Sequence, residues 1–317
     1  MIHFGINTTI QRDDIYKYHM STKPMTALAI MKLYEESKID LDVPIQTYLE
    51  EFPIKKEGEI TIRQLLKHTS GIPNYSSNWD GFTYSHYPSL IKATEHFKDI
   101  DLAFKPETGF LYSTYGYIIL GAIIEKVSGQ SCEDYMLHNI WRKAGMMNTS
   151  IEHRDKAYDN KARLYLKIKS NYIRAPYDDL SLKYSAGGIQ STAFDLLELG
   201  KAILENKLID STTLNIMISA TDTLKTGTPY GFGWFVQNDP KYGRIIYHGG
   251  SQSGTSGYFR IYLDEKIIVS VLANNSFSGY DTRFLAKDIS SLVLDSTTLN
   301  LPIKEFKKDT SNIASWL

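Results

Sequence analysis

The sequence predicts an α/β fold of the α+β kind, in which an antiparallel sheet flanked by helices adjoins a mostly helical region. Two changes along the chain predict it. Up to about Leu204 apolar residues recur at helical spacing, whereas beyond Tyr230 they fall in short β-branched and aromatic runs separated by Gly, Asp and Asn. A third observation bounds the size: 317 residues, 42% hydrophobic and 12% aromatic, suffice for a sizeable core.

In chain order, the first helix is expected from Met25 to about Ser37, half-buried, with Leu28, Met31, Leu33 and Tyr34 among good helix formers. The stretch "ITIRQLLKHTSGIPNY" (Ile60 to Tyr75) reads as a short helix capped by Thr61 and running into a Gly/Pro turn. "YGYIILGAIIEKVSG", from Tyr115 to Gly129, is apolar almost all round and ends on a glycine suited to a helix terminus, so it belongs in an interior. A helix within "SCEDYMLHNIWRKAGMM" follows, and Ser191 to Leu204 gives another with Ser/Thr capping and an Asp in its first turn. The runs "GRIIYHGG", "GYFRIYLD" and "KIIVSVLANN" predict three consecutive antiparallel strands, and a last helix is expected from about Thr282 to Leu294.

No repeat or linker separates independent units, so residues 1–296 form one domain, with a helical part at about 20–200 and a sheet part at about 228–296; 297–317 are a polar tail. A net charge of −1 leaves no electrostatic footprint for nucleic acid. The single cysteine, Cys132, excludes an internal disulfide. No stretch approaches roughly 18 apolar residues, the length of a membrane span, and the first residues show no signal-peptide pattern. A cytoplasmic location is expected as written, and a periplasmic or extracellular one if an upstream segment has been lost. No His/Cys/Asp/Glu spacing such as H-E-x-x-H implies a metal, no cofactor is implied, and "GTPYGFG" is a poor match to a phosphate loop. "GSQSG" at Gly250 to Gly254 is not a nucleophile elbow, because its serines fall second and fourth.

Three separated stretches carry the chemistry: "MSTK" (Met20 to Lys23), "FLYSTYGY" (Phe110 to Tyr117) and "YHGGSQSG" (Tyr247 to Gly254). Together they resemble the S-x-x-K, Y-x-N and [KH]-[TSG]-G boxes of the class C β-lactamase and penicillin-binding-protein superfamily of serine hydrolases. Supporting stretches such as "KIDLDVPIQTYL", "AGMMNTS" and "SAGGIQSTAFDLLELG" occur in the family's order, from about Tyr16 to Asn275. Within the superfamily, "FLYSTYGY" is most similar to the branch containing the mitochondrial serine β-lactamase-like protein and its bacterial relatives.

The resemblance implies a cleft between sheet and helical region, acting on a peptide, β-lactam or ester by acyl transfer to serine and then to water. It makes Lys23 the amine that helps activate the nucleophile, and Tyr112 the phenol of the second box and the usual general-base candidate. His248 matches the cationic residue of the third box, there to position the tyrosine or a substrate carboxylate. Thr114 stands at the asparagine position of the second box. Gly250 lets substrate backbone approach, and the N–H of Ser251 matches an oxyanion-hole donor. His68, in "KHTSG", is expected to anchor a loop rather than to react.

Two departures qualify that picture. Counting back from Lys23 by the family spacing lands on Met20, whose thioether has no removable proton and forms no acyl-enzyme. Ser21 is adjacent, but at i and i+2 from Lys23 it does not share a helix face with it, so its use needs a locally rewound first turn. The chain is thus either a hydrolase using Ser21 or a non-catalytic member that binds a ligand in its cleft. The second departure is at the start: the resemblance implies a leading helix and two strands before the serine, and Met1 is expected to fall near the end of the second strand. The sheet edge this leaves exposed implies self-association or a docking partner.

Overall fold

The computed structural model describes residues 16–17, 22–75, 83–158, 160–168, 171–219, 229–276 and 282–299. Ten helices are present among them: α1 (Thr22–Glu35), α2 (Ile62–Lys67), α3 (Leu90–Thr94), α4 (Thr114–Ser128), α5 (Cys132–Met136), α6 (Arg142–Ala144), α7 (Tyr184–Gly187), α8 (Ala193–Leu204), α9 (Ser211–Met217) and α10 (Thr282–Leu299). A π turn over Leu137–Trp141 joins α5 to α6.

Helix α1 begins earlier than its apolar pattern suggested, with Pro24 in the first turn, where the missing N–H breaks no intrahelical bond. It is also not half-buried: Thr22 through Met31, and Leu33, are all buried. The reason is that α4, α5, α7 and α9 pack around it, an enclosure that helical periodicity along one segment cannot register.

The other long helices follow their local signals. Thr61 and Gln64 form a reciprocal capping box at the start of α2. Ser113 caps α4, and Gly129 ends it at φ 68°, the left-handed conformation that glycine adopts without strain. Thr192 caps α8 by accepting from the Asp195 N–H.

The strands are β1 (Tyr16–Lys17), β2 (Ser150–Ile151), β3 (Tyr165–Ile168), β4 (Asn171–Arg174), β5 (Ile189–Ser191), β6 (Phe235–Asp239), β7 (Gly243–Gln252), β8 (Thr255–Tyr262), β9 (Ile267–Ala273) and β10 (Asn275–Ser276). The main sheet is antiparallel in the order β6-β7-β8-β9. The three strands expected from sequence are its β7 to β9, and β6 adds a fourth. Two small sheets, β1-β5-β2 and β10-β3-β4, lie in and beside the helical region and were not expected.

Of the main sheet, one face carries Ile246, Phe259, Ile261 and Leu272 into the principal core. Helix α8 lies against β9 on that side, and a Cβ at Gly200 would come within 2.7 Å of Ile268, so the close approach requires glycine. The other face meets α10, where Ala286 packs with Tyr258, Val269 and Val271. That helix runs to Leu299 rather than Leu294, so the tail boundary placed at 297 falls inside it.

Register leaves one edge of β7 without a described partner strand. Strand β6 pairs with β7 only from Gly243 to Tyr247, whereas β8 pairs with β7 along its whole length to Gln252. From His248 onward β7 therefore has one open edge among the described residues. At the far side of the sheet no described strand pairs with β9. The missing-strand expectation concerns residues at and before 15, which lie outside the described residues.

Candidate active-site cleft

Three elements bring the boxes together. Lys23 projects from the first turn of α1, Tyr112 stands two residues before α4, and His248 lies within β7. Glycine makes two of these approaches close. Gly233, at φ 78°, faces the Ala27 side chain and the Lys23 carbonyl, and a Cβ there would come within 2.7 Å of Ala27. At Gly249 a Cβ would meet the Tyr258 ring at 2.4 Å.

Lys23 is 1% exposed. Its Nζ donates to the Ala186 carbonyl at 3.2 Å and sits 4.6 Å from the Tyr112 ring centroid and 5.6 Å from that of Tyr117. No described carboxylate forms an ion pair with it. The aromatic faces favour the cation by about 2 kcal/mol at most, whereas burying an ammonium without a counter-ion costs several. Burial wins, and the amine is pushed down to about pKa 7.

His248 is fully buried, and its Nε2 lies 3.4 Å from both the Tyr112 and the Tyr230 hydroxyl oxygens. Burial first, and then the charge of Lys23, lower its pKa to about 3. The expected cationic histidine is therefore neutral, because a desolvated imidazole beside an amine cannot hold a proton at physiological pH. It can position Tyr112 but offers no charge to a carboxylate. Burial raises the Tyr112 phenol well above its ordinary value, so it too is uncharged, a protonated phenol rather than a phenolate.

His68 braces this group from behind. It terminates α2 at φ 61°, and its Nδ1 accepts from the Ser113 N–H at 3.1 Å, fixing the chain at the second box. Its ring packs against Tyr112 and Tyr230, with centroids 4.4 and 5.0 Å away. Burial, then Lys23 and His248, keep it neutral.

The remaining sequence candidates lie around this group. Thr114 opens α4, its N–H donating to Asn74 Oδ1 at 3.0 Å. Gly250 and Ser251 lie on the open stretch of β7, opposite Gly257 and Ser256 of β8. The Ser251 side chain donates to the Thr255 carbonyl at 3.1 Å, turned back to its own hairpin. Met20 and Ser21 lie outside the described residues.

Sequence reasoning missed Tyr230, Tyr117 and the Ala186 carbonyl. Tyr230 stands in "GTPYGFG", which as a sequence invites comparison only with a phosphate loop. The useful signal is an aromatic among glycines just before the sheet begins. Tyr117 reads as a core residue of an apolar helix, and a backbone carbonyl leaves no mark in a sequence.

Known proteins are similar to this chain in sequence and fold. The profile of the Beta-lactamase family matches residues 8–294. Penicillin-binding protein 4* of Bacillus subtilis is 29% identical over 283 residues, covering 84% of this chain and 62% of that protein. The chain thus spans less than two thirds of that relative's length. The bovine mitochondrial serine beta-lactamase-like protein LACTB is 27% identical, covering 92% of this chain and 70% of its own. Among solved structures, a penicillin-binding protein from Bacillus halodurans superposes with a TM-score of 0.78 at 25% identity, covering 89% of both chains.

Proposed function

The chain belongs to the beta-lactamase family, and from that premise we propose that it binds amide- or ester-containing compounds in this cleft without forming an acyl-serine. One observation carries the reading: Lys23, Tyr112 and His248 converge, while the position three residues before Lys23 is methionine. In a helix a residue at i−3 shares the lysine's face. A hydroxyl there could pass its proton to the neutral amine, and a thioether has none to pass. Lys23 is the proton acceptor of this arrangement, and Tyr112, a protonated phenol held by His248, is a donor to an anionic oxygen. Gly250 and Ser251, on the stretch of β7 that β6 does not reach, would supply backbone to an extended ligand.

The retained neutral amine also favours a second reading, in which Ser21 serves as nucleophile after a local rewinding of the first turn. Incubation with a fluorescent penicillin and with a fluorophosphonate separates the two. Folded protein that binds penicillin reversibly but takes no covalent label supports the binding role. Label that disappears in Ser21→Ala overturns it in favour of acyl transfer.

A coupled proposal concerns partners: the side of β9 that no described strand pairs, beside the exposed Leu285, Leu292 and Val293 of α10, meets its counterpart in a second copy of the chain. Size-exclusion with light scattering should show a dimer or larger species, and a strict monomer at micromolar concentration rejects it. Among the described residues no helix is long and apolar enough to cross a membrane.

A further inference from the structure

We propose that Lys23 is itself a nucleophile, and that the cleft captures small carbonyl compounds, aldehydes above all, as a reversible imine on its Nζ. The inference deepens the binding role just described and rests on it for access of a ligand to the cleft.

The surroundings of the amine make it reactive. Tyr112 and Tyr117 of the second box, His248 of β7, His68 at the end of α2 and Tyr230 before β6 form a cluster of aromatic groups beside it. Every titratable member of that group is held uncharged by burial. The hydrogen bond from Nζ to the Ala186 carbonyl uses one N–H and leaves the nitrogen lone pair available in the neutral form. An unprotonated, poorly hydrated amine is the reactive form of lysine. The Tyr112 ring lies 4.6 Å from the amine, and Tyr112 as a residue is only half-buried. With methionine at position 20, no hydroxyl at the family's nucleophile position competes for the electrophile.

The step balances without a co-reactant. The Nζ lone pair attacks the carbonyl carbon, and the C=O π pair moves to oxygen, which takes up a proton, giving a carbinolamine. Loss of the nitrogen proton and of the hydroxyl as water then forms the C=N bond. The net change is aldehyde plus amine to imine plus water. Tyr112, a protonated phenol kept in place by His248 Nε2 at 3.4 Å, is the group placed to donate to the departing oxygen.

The test uses the full chain at pH 7 with benzaldehyde and sodium cyanoborohydride, which converts the imine to a stable benzyl-lysine located by peptide mass mapping. An ordinary lysine is unprotonated in only about one molecule in 3,000 at that pH. Lys23 should therefore gain the benzyl group at least ~100-fold faster than the median surface lysine, matched only by the chain's amino terminus. Unfolding in urea should abolish the difference. Modification of Lys23 no faster than its neighbours in folded protein overturns the inference. Reversible benzylpenicillin binding, followed by ligand-observed NMR on the same sample, separates the outcomes. Penicillin binding with a slow Lys23 leaves the binding role standing and removes this one. A fast Lys23 without penicillin binding upholds the nucleophile and removes the amide or ester ligand. Absence of both removes both.

Discussion

Two lysines of this protein are buried almost equally, Lys23 at 1% and Lys183 at 3% exposure, and they serve opposite ends. Lys183 Nζ lies 2.8 Å from Asp178 Oδ2, and the other oxygen of that carboxylate accepts the Thr83 N–H at 3.1 Å. The pair compensates its own charge and ties the chain at Thr83 to the segment before α7. Lys23 has two aromatic rings and one carbonyl instead, and in that setting its pKa falls to about 7. The difference teaches that burial alone does not define a site. A buried charge with a partner is architecture, whereas a buried amine that lacks one is a proton acceptor maintained against the stability of the fold.

The largest effect should come from giving Lys23 a proton to accept. Met20→Ser should turn a chain without covalent fluorophosphonate label into one that labels stoichiometrically. Adding Lys23→Met should then lower the labelling rate by about 10²–10⁴-fold, the usual worth of a positioned base. Failure of the single variant to label, while folded, would show that the retained cluster is no longer competent.

Stability should next divide the two lysines in sign. Asp178→Ala leaves Lys183 buried without its partner and should destabilise the protein by about 3–5 kcal/mol in urea unfolding. Lys23→Met replaces an unpaired amine by an apolar chain of similar length and should stabilise it by about 1–4 kcal/mol at pH 7. Loss of stability in both variants would erase the comparison.

The pH dependence has a definite direction. The pKa of Lys23 is lowered on folding, from 10.5 to about 7, so between those values the unfolded chain binds the extra proton. Stability attributable to this group therefore rises with pH across that window and is flat below about 7. The advantage of Lys23→Met over the natural chain should shrink from pH 7 towards pH 10. An advantage that grows instead would mean that the amine is held charged. The smallest effect should be that of Tyr230→Phe, which removes one of the two phenols facing His248 and should change stability by about 1 kcal/mol or less. The Lys23 titration should stay in place.

Features that depend on residues adjacent in the chain are legible in the sequence. Thr61 announces the cap of α2, Gly129 the end of α4, and the β-branched runs the strands β7 to β9. The three boxes likewise name Lys23, Tyr112 and His248, which the fold does bring together. What stays hidden depends on neighbours distant in the chain. The hairpin of β3 and β4 is short and mixes polar with apolar residues on both strands, so it carries no clean alternation. The enclosure of α1 comes from four other helices. The neutrality of His248 follows from burial and from Lys23, neither of which its own strand reveals.

The central claim, that burial with no described counter-ion lowers the Lys23 amine to a pKa near 7 and so leaves a large share of it unprotonated at neutral pH, is tested most directly by its own titration. The chain would be labelled with ¹³Cε-lysine, the Lys23 resonance assigned by its loss in Lys23→Met, and its shift followed from pH 5 to 11. A midpoint near 7, with the other lysines titrating above 10, is the predicted result. A Lys23 midpoint above 10, among the rest, would contradict it.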